Sequence, residues 1–283
     1  MTAIAADRRP EEEKLRLDTM NGHPDLMPSS KAHSRAWEDW GTVNPLYAIV
    51  TDPKYRHGGD VDEFFRGGKD SVNEILSETD RLGIGRGREA ALDFGCGIGR
   101  LSAGLADHFK AVTGVDVSST MVASGRELHT NRVNLEFKQN QNNDLRWIPE
   151  SSFDLVLSLL VLQHLESTRT IEGFLRDFVR ILKPGGAIVV QLPSRVPAHR
   201  PPLPPSTTRA GVRLRTANLL RRVGVSARVL YERFDWVPEM TLLALSEETT
   251  RKILEDAGGT VVYVTPPSTD AGGTIHHTYF VTR

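Results

Sequence analysis

The 283-residue sequence has one cysteine, few aromatic residues and no long apolar run. A single cysteine excludes a disulfide within the chain and is typical of proteins in a reducing cytoplasm. The longest apolar run, residues 155–162, is interrupted by Ser158 and is far shorter than the ~20 residues that a membrane-spanning helix needs. The first 30 residues are polar and lack the apolar stretch of a secretory signal. We therefore expect a cytoplasmic protein with no membrane partner.

Net charge is also small, because 35 basic and 36 acidic residues leave a formal value of −1. Near-neutrality argues against a general nucleic-acid binder. The charges are unevenly distributed, since the segment 195–233 contains nine arginines and one acidic residue, Glu232. We favour a solvated helix face as the interpretation of this run. The alternatives are binding of a carboxylate or phosphate, and contact with the acidic body of a second copy in a homodimer.

Changes in composition and periodicity divide the chain into five predicted parts. These are a flexible tail (1–30), an N-terminal helical cap (31–86), a core (87–193), an inserted basic lid (194–245) and the C-terminal part of the core (246–283). The cap is rich in aromatic residues and should contain a helix at about 70–82. The lid begins with a proline cluster and should contain a basic helix at about 207–223.

Seven apolar segments that alternate with helical patterns predict a mostly parallel, doubly wound α/β sheet. The predicted strands are 90–94, 111–115, 134–139, 153–160, 187–192, 260–264 and 275–282. The predicted core helices lie at about 99–109, 119–130, 168–182 and 246–256. The third of these helices should end at the stop signal Lys183-Pro184-Gly185-Gly186.

A glycine-rich turn follows the first predicted strand, with glycine at 95, 97 and 99. Glycine lets the chain reverse tightly and lets the backbone approach a ligand without a Cβ. Asp116, at the end of the second strand, is placed to accept hydrogen bonds from a ribose diol. Together these features predict a site for an adenosine-containing cofactor.

A nicotinamide or flavin site would carry the pattern Gly-x-Gly-x-x-Gly. Arg100 stands at the third glycine when counting begins at Gly95, and Ser102 stands there when it begins at Gly97. The sequence also has no Tyr-x-x-x-Lys pair. Both observations argue against an NAD-dependent oxidoreductase.

From about residue 90 to 192 the chain resembles the class I S-adenosylmethionine-dependent methyltransferases of small molecules. The segments that carry the resemblance are ALDFGCGIGR (91–100), VDVS (115–118) with Met121, SFDLV (152–156) and LKPGG (182–186). The resemblance implies a Rossmann-like seven-stranded sheet, with a helical segment before it and a lid inserted after the fifth strand. It also implies S-adenosylmethionine as the cofactor.

The resemblance implies the cofactor-binding residues Asp93, Gly95, Cys96, Gly97, Gly99, Asp116, Val117, Met121, Gln141, Asn142 and Leu160. The glycine turn would line the methionyl part, Asp93 would orient its ammonium, and Asp116 would bind the ribose. Many relatives carry an aspartate after the third strand that accepts from the adenine amino group. Asn140-Gln141-Asn142 stands there instead, so an amide oxygen of Gln141 or Asn142 is expected to accept.

Related enzymes often carry a histidine near the transferring methyl group, after the fourth strand. His164 occupies that place and is the predicted general base, which helps if the acceptor is a hydroxyl. Helix capping or packing is the alternative role. Tyr47, Gln163 and Arg213 are predicted to contact the acceptor. No cysteine–histidine cluster has metal-ligand spacing, so no metal is expected.

The sequence thus predicts methyl transfer to a small-molecule acceptor, most simply to a hydroxyl or carboxylate oxygen in specialised metabolism. The basic lid would suit an anionic acceptor. N- or C-methylation of a small anionic substrate is the next alternative. A non-catalytic cofactor-binding scaffold is another, and so is an RNA or protein methyltransferase, which near-neutral charge disfavours.

Overall fold

A computed structural model describes residues 30–197, 207–234, 236–238, 240, 242–270 and 272–283. The predicted tail, except for its last residue, and the proline cluster at 201–205 lie outside them. The strands are β1 (Ala90–Phe94), β2 (Ala111–Asp116), β3 (Leu135–Gln139), β4 (Phe153–Ser158), β5 (Leu182–Arg195), β6 (Thr260–Val264), β7 (Ser268–Thr269) and β8 (Ile275–Thr282).

The α-helices fall into three groups: before the sheet, between its strands, and in the segment after β5. They are α1 (Ser30–Val43), α2 (Pro45–Val50), α3 (Val61–Leu82), α4 (Arg100–Leu105), α5 (Ser119–Leu128), α6 (Thr168–Ile181), α7 (Arg209–Arg222), α8 (Ala227–Phe234) and α9 (Glu247–Asp256). Two 3-10 turns, Pro53–Tyr55 and Leu162–His164, complete the described helical elements.

The strands form one sheet in the order β3-β2-β1-β4-β5-β8-β6, and β7 pairs with β8 at its side. Strands β1 to β5 are parallel to one another, whereas β8 is antiparallel to β5, β6 and β7. The predicted Rossmann-like, mostly parallel sheet is therefore confirmed. The order in which successive strands are added to the sheet reverses between β1 and β4, and ligands bind at the carboxyl ends of the strands at such a point in open α/β sheets.

The centre of the sheet is buried on both faces, as expected for a parallel sheet between helical layers. All six residues of β4 are buried. One face packs against α6, where Phe94 lies 4.6 Å from Phe174 between ring centroids. The other face packs against α3 and α4 through residues such as Val72 and Leu105. Full burial of a valine, leucine or phenylalanine side chain stabilises the folded state by about 1.5–3 kcal/mol relative to leaving it exposed to water.

Helix α3 is longer than the sequence pattern predicts, since it begins at Val61 rather than near residue 70. The Asp60 carboxylate caps it by accepting the N–H groups of Asp62 and Glu63 at 2.8 and 3.0 Å. Glycine inside a helix lowers the helix propensity, so the sequence pattern did not predict the part of α3 before residue 70. Close packing explains Gly68, because a Cβ there would lie 2.3 Å from the Arg100 carbonyl oxygen.

The Lys183–Gly186 stop signal after α6 does not form the expected helix cap. Helix α6 ends at Ile181, and β5 begins immediately at Leu182, so the Lys183–Gly186 segment belongs to a strand and not to a helix cap. The register of β4 against β5 shifts there, between Phe153 and Leu155. Gly185, with a φ of 74°, lies inside this irregular stretch. The short β7 and helix α8 are further elements that the sequence patterns did not predict.

Among the described residues, no helix combines the length and the apolar character that crossing a bilayer requires.

Candidate active site

The turn between β1 and α4 depends on glycine backbone conformations. Gly95 and Gly97 have φ angles of 78° and 53°, in the left-handed region that side chains with a Cβ rarely adopt. A Cβ on Gly95 would lie 2.2 Å from a methyl carbon of Val161, in the segment after β4. Glycine at 95 therefore lets the ends of β1 and β4 approach each other closely at the edge of the sheet.

Asp116 ties the second strand to this turn. One carboxylate oxygen accepts the Gly97 N–H at 2.8 Å, and the other accepts the Ser118 N–H at 2.9 Å. Burial raises the pKa of Asp116, although these backbone hydrogen bonds oppose the rise. Each oxygen keeps a further lone pair, so the carboxylate can still accept from a bound hydroxyl group.

Asp93 lies at the end of β1 and is almost completely buried. Its carboxylate accepts a hydrogen bond of 2.6 Å from the Ser102 hydroxyl. Removal from water raises the pKa of Asp93 to about 6, with the Ser102 hydrogen bond acting in the opposite direction. A buried carboxylate with a raised pKa at a ligand-binding edge is typical of functional sites.

A cavity of about 930 Å³, including its open mouth, lies at the carboxyl ends of β1, β2, β3 and β4. The residues that line it come from these four strand ends and from α1, α2, α5 and α6. They are Ser34, Trp37, Ala48, Ile49, Phe94, Gly95, Val115, Asp116, Val117, Met121, Asn140, Gln141, Asn142, Asn143, Leu159, Leu160, Val161, His164, Leu165, Glu166 and Phe174.

Eight of the residues predicted from the sequence meet at this cavity: Gly95, Asp116, Val117, Met121, Gln141, Asn142, Leu160 and His164. Four others, Asp93, Cys96, Gly97 and Gly99, belong to the turn but are not part of the lining. Leu160 has a φ of 62°, an uncommon conformation for a residue with a branched side chain. Such backbone outliers concentrate at functional sites.

Two residues predicted to contact the acceptor lie elsewhere. Arg213 is exposed on α7 and donates to the Arg233 carbonyl oxygen at 3.0 Å, away from the cavity lining. A helix periodicity cannot tell which arginines point inward, and this one faces solvent. Tyr47 packs on Trp40, with 5.9 Å between ring centroids, within the apolar cluster of the N-terminal helices.

Cys96 is a packing residue in this structure. It is buried with Val122 and Phe137, and burial raises the pKa of its thiol well above the usual value. The thiol therefore stays protonated at neutral pH and is a poor nucleophile.

His164 lies in the 3-10 turn that follows β4, and it lines the cavity. Trp37 of α1 meets its ring edge-on, with 5.3 Å between centroids. The third residue predicted to contact the acceptor, Gln163, is buried beneath the turn and does not line the cavity. Its amide nitrogen lies 3.3 Å from Nε2 of His164.

Glu38 is a site residue that the sequence patterns did not indicate. Its carboxylate crosses from α1 to the start of α5, where it accepts the N–H groups of Ser119 and Thr120 at 2.6 and 3.1 Å. Burial opposes ionisation, but these bonds and that of the Thr120 hydroxyl hold the pKa of Glu38 below its usual value. The contact spans about 80 residues of sequence, so no local motif reveals it.

Helix α1 also contacts the segment after β5. Its Asp39 carboxylate receives two hydrogen bonds from the Arg221 guanidinium of α7, at 2.6 and 3.1 Å. Asn44, just after α1, donates a longer hydrogen bond from its amide nitrogen to the Tyr231 hydroxyl of α8, at 3.4 Å. Trp37, Glu38 and Asp39 thus point from one helix turn toward the cavity, toward α5 and toward α7.

The lining suits an adenosine-containing sulfonium cofactor. The Asp116 carboxylate can accept from ribose hydroxyls, and the amide groups of Gln141 and Asn142 can accept from an adenine amino group. Ile49 and Met121 supply the apolar surface that a flat base needs. No group of three potential metal ligands occurs within the part of the chain that the structure describes.

Comparison with known proteins agrees with this geometry. Residues 92–190 match the model of a methyltransferase domain. Demethylmenaquinone methyltransferase of Tropheryma whipplei is 38% identical over 109 residues, which are 38% of this chain and 43% of that protein. Trans-aconitate 2-methyltransferase of an Azoarcus species is 31% identical over 183 residues, which are 61% of this chain and 65% of that protein. The chain thus spans less than two thirds of either relative.

A solved methyltransferase structure from Leishmania major has a TM-score of 0.58 and 14% identity, covering 97% of this chain and 92% of that one. This likeness concerns the fold. The fold and the glycine turn define a Rossmann-like methyltransferase core. Residues 92–190 match a methyltransferase domain, and the chain is similar to the class I S-adenosylmethionine-dependent methyltransferases, whose cofactor is S-adenosylmethionine.

Proposed function

We propose that the protein transfers a methyl group from S-adenosylmethionine to an oxygen atom of a small-molecule acceptor. The observation that carries this proposal is the position of His164. His164 lines the same cavity as Asp116, Met121 and Gln141. A proton acceptor and the residues suited to the cofactor therefore share one space.

The bound cofactor supplies a methyl group on a positively charged sulfur, which is already reactive toward nucleophiles. Positioning and exclusion of water are then the main tasks of the protein. Asp116 holds the ribose, and the amide side chains after β3 contact the adenine. Asp93 and the backbone of the glycine turn orient the methionyl end. Trp37 shields the His164 side of the cavity from solvent.

His164 takes the proton of an acceptor hydroxyl as the oxygen attacks the methyl carbon. General-base assistance of this kind typically contributes 10²–10⁴-fold to the rate. Methylation at nitrogen or at an activated carbon would gain less from such a base, which is why we favour oxygen over these alternatives.

The acceptor that suits this cavity is uncharged and largely apolar. No lysine or arginine stands in the described lining, whereas Leu160, Val161, Leu165 and Trp37 do. An anionic acceptor would enter next to two carboxylates, Asp116 and Glu166, with no cationic side chain beside it. The sequence-based expectation of an anionic acceptor rested on the arginines of the basic lid, and none of its described arginines, Arg213 included, belongs to the lining.

Radiolabelled cofactor, incubated with matched panels of neutral phenols and alcohols, amines and carboxylates, tests the proposal. Labelled product should appear with hydroxyl acceptors. Transfer only to amines or carboxylates would overturn the choice of acceptor, and no transfer to any class would favour a non-catalytic scaffold.

Replacement of His164 by Ala tests the base. Turnover should fall by about 10²-fold or more, while affinity for S-adenosylhomocysteine changes less than about threefold. His108→Ala is the matched control, because His108 is exposed and binds Asn73 on the surface. Unchanged turnover in His164→Ala would remove this residue from the mechanism.

A further inference from the structure

Helix α7 exposes apolar side chains on the face that points away from the protein. Val212, Leu219 and Val223 are 53%, 61% and 70% exposed. Their positions place them on one face of the helix, because residues four or seven apart lie one above the other along a helix. Single exposed apolar residues are common on protein surfaces. Within the described chain, however, no other helix carries more than one exposed apolar residue of this size. We call these three residues the outer stripe.

The inner face of α7 already accounts for its packing on the protein. Ala217 is completely buried in the apolar cluster that α7 forms with Leu230 of α8 and with Trp236. Arg221 extends the same face to α1. None of the outer stripe belongs to this cluster. Helix α7 is therefore apolar on two faces, and the described chain covers only the inner one.

Arginines border the outer stripe on both sides. With about 3.6 residues per helical turn, Arg209 and Arg213 lie along one edge of the stripe. Arg215 and Arg222 lie along the other edge, and all four are exposed. The Arg213 guanidinium donates to a backbone carbonyl oxygen, and the guanidinium groups of the other three have neither a hydrogen-bond nor an ion-pair partner among the described residues. Helix α7 contains no acidic residue, so it presents unneutralised positive charge around an apolar surface.

An apolar stripe between two rows of cations is the pattern of a helix that lies on an anionic bilayer surface. The apolar side chains enter the headgroup region, and arginines bind lipid phosphate through the guanidinium fork. Nucleic acid also attracts arginines, but its phosphate backbone gives exposed valine and leucine nothing to contact. Two-fold pairing of α7 with α7 of a second copy would cover the stripe, but it would bring the unpaired arginines of both copies together. A membrane accounts for both the apolar and the charged residues.

We propose that α7 binds reversibly to the surface of bilayers that contain anionic lipids, with the outer stripe inserted and the flanking arginines on the headgroups. A helix in this position does not cross the bilayer, so it needs neither the length nor the continuous apolar sequence of a spanning helix. The proposal replaces the sequence-based expectation of no membrane partner, which considered only spanning segments and a secretory signal.

A membrane site would also serve catalysis. An uncharged, largely apolar acceptor is concentrated in lipid, and a protein on the bilayer surface meets it there. The Arg221–Asp39 contact joins α7 to α1, which lines the cavity through Trp37. This link to catalysis rests on the proposed function, whereas the binding of α7 to lipid does not.

Co-sedimentation of the full chain with vesicles tests the proposal. Binding to vesicles with about 30% phosphatidylglycerol in phosphatidylcholine should exceed binding to pure phosphatidylcholine by more than about 10-fold and should weaken as salt is added. Leu219→Asp should lower the partition coefficient by more than about 10-fold, because a charge replaces an inserted apolar side chain. Val133→Asp is the matched control, since Val133 is completely exposed in the turn before β3 and the change in net charge is the same.

The arginines are tested in pairs. Arg209→Gln combined with Arg215→Gln removes one cation from each edge of the stripe and should lower the partition coefficient by about 25-fold, since each arginine near an anionic surface contributes roughly fivefold. Arg66→Gln combined with Arg86→Gln removes the same charge from two exposed arginines outside α7 and is the control. Equal losses in the two double variants would mean that net charge attracts the protein, and would overturn the proposal.

The single cysteine allows a direct readout. Cys96 is buried, and burial raises the pKa of its thiol well above the usual value, so a cysteine introduced on the surface is labelled selectively. An environment-sensitive dye on Leu219→Cys should shift its emission to shorter wavelength when anionic vesicles are added, and the same dye on Val133→Cys should not. Vesicle binding without a shift at position 219 would place another surface on the membrane and contradict the inference.

Other occupants of the stripe give different results. Absence of binding to anionic vesicles overturns the proposal. A dimer that forms without lipid in sedimentation velocity and dissociates in Leu219→Asp would then assign the stripe to a second copy, and binding to duplex DNA would assign the arginines to nucleic acid. Thermal melts show whether each variant is folded, and Leu219→Ser is the milder substitution if Leu219→Asp is unstable. None of these measurements requires turnover, so their failure is distinguishable from failure of the proposed function.

Discussion

The cofactor side of the cavity is built mainly from the ends of the consecutive strands β1, β2 and β3, with Ile49 of α2 added, whereas the acceptor side is assembled from segments far apart in the chain. On the cofactor side, Asp116 binds backbone N–H groups of the adjacent turn and helix. On the acceptor side, Trp37 of α1 meets His164 after β4, and Arg221 of α7 binds Asp39. The cofactor side depends on backbone geometry, and the acceptor side depends on side-chain contacts between elements.

This difference has a functional consequence. Backbone geometry at a glycine turn tolerates few substitutions, so that side suits a ligand shared by a whole family. Contacts between separate helices can change one side chain at a time, and that side suits an acceptor that differs between family members. Substitutions on the two sides should therefore separate into losses of cofactor affinity and losses of acceptor use.

The largest expected effect follows from a single methyl group on the cofactor side. Gly95→Ala places a Cβ 2.2 Å from Val161 at a φ of 78°. We expect affinity for S-adenosylhomocysteine, measured by calorimetry, to fall by more than about 100-fold, because turn and strand end must move apart.

Gly185→Ala is the matched control for this substitution. Gly185 has a similar φ of 74°, but a Cβ there meets nothing within 4 Å. The backbone strain should cost about 1–2 kcal/mol of unfolding free energy without loss of affinity. Equal losses of affinity in both variants would mean that general destabilisation, and not the turn, accounts for the effect.

Asp93→Asn should move stability and affinity in opposite directions. The folded-state pKa of Asp93 is raised to about 6, above the value of an unfolded aspartate, so its ionised form destabilises the fold. The protonated form of Asp93 stabilises the fold at low pH, and this stabilisation is lost as the pH rises through about 6. Asparagine should therefore raise the unfolding free energy at pH 7.5 by about 2 kcal/mol. Affinity for S-adenosylhomocysteine should fall about 10- to 100-fold, because the methionyl ammonium loses its counter-charge.

Asp154→Asn is the control for a buried carboxylate at the opposite edge of the sheet. Asp154 accepts the Ala90 N–H at 2.8 Å and pairs with Lys183 at 3.0 Å. Its replacement should lower stability and leave affinity unchanged. Chemical denaturation and calorimetry measure both quantities. A destabilised Asp93→Asn with normal affinity would contradict the assigned role of Asp93.

The smallest expected effect is on the acceptor side. Arg221→Met removes the paired hydrogen bonds to Asp39 that join α7 to α1, next to Trp37. We expect a loss of about 1 kcal/mol in stability and a severalfold rise in KM for the acceptor, with cofactor affinity unchanged. Arg222→Met changes the exposed neighbour and should have little effect. A loss of cofactor affinity in Arg221→Met would break the separation of the two sides.

The fold was predictable because its signals are local. Strands β6 and β8 agree with the predicted bounds 260–264 and 275–282, since apolar runs between turn residues leave little choice. The start of α3 was not predictable, because Gly67 and Gly68 weaken the helix signal and only close packing on α4 explains Gly68. The Lys183–Gly186 segment belongs to β5 but has no partner in β4, whose pairing passes from Leu182 to Ala187, and a helix-stop pattern does not contain this irregularity.

The site was predictable to a similar degree, for the same reason. Gly95, Asp116 and His164 lie next to strand ends that periodicity locates, and the structure brings them to one cavity. Glu38 acts across the fold on α5, so its role requires knowledge of where α1 packs. The sequence also did not show that Arg213 lies away from the cavity, because a basic helix pattern does not specify which face of the helix meets the cavity.

The most direct test of the central claim is calorimetric titration of the protein with S-adenosylhomocysteine and, in parallel, with NAD. We expect micromolar binding of S-adenosylhomocysteine that Asp116→Ala weakens strongly, and no heat from NAD. Binding of NAD without binding of S-adenosylhomocysteine would contradict it.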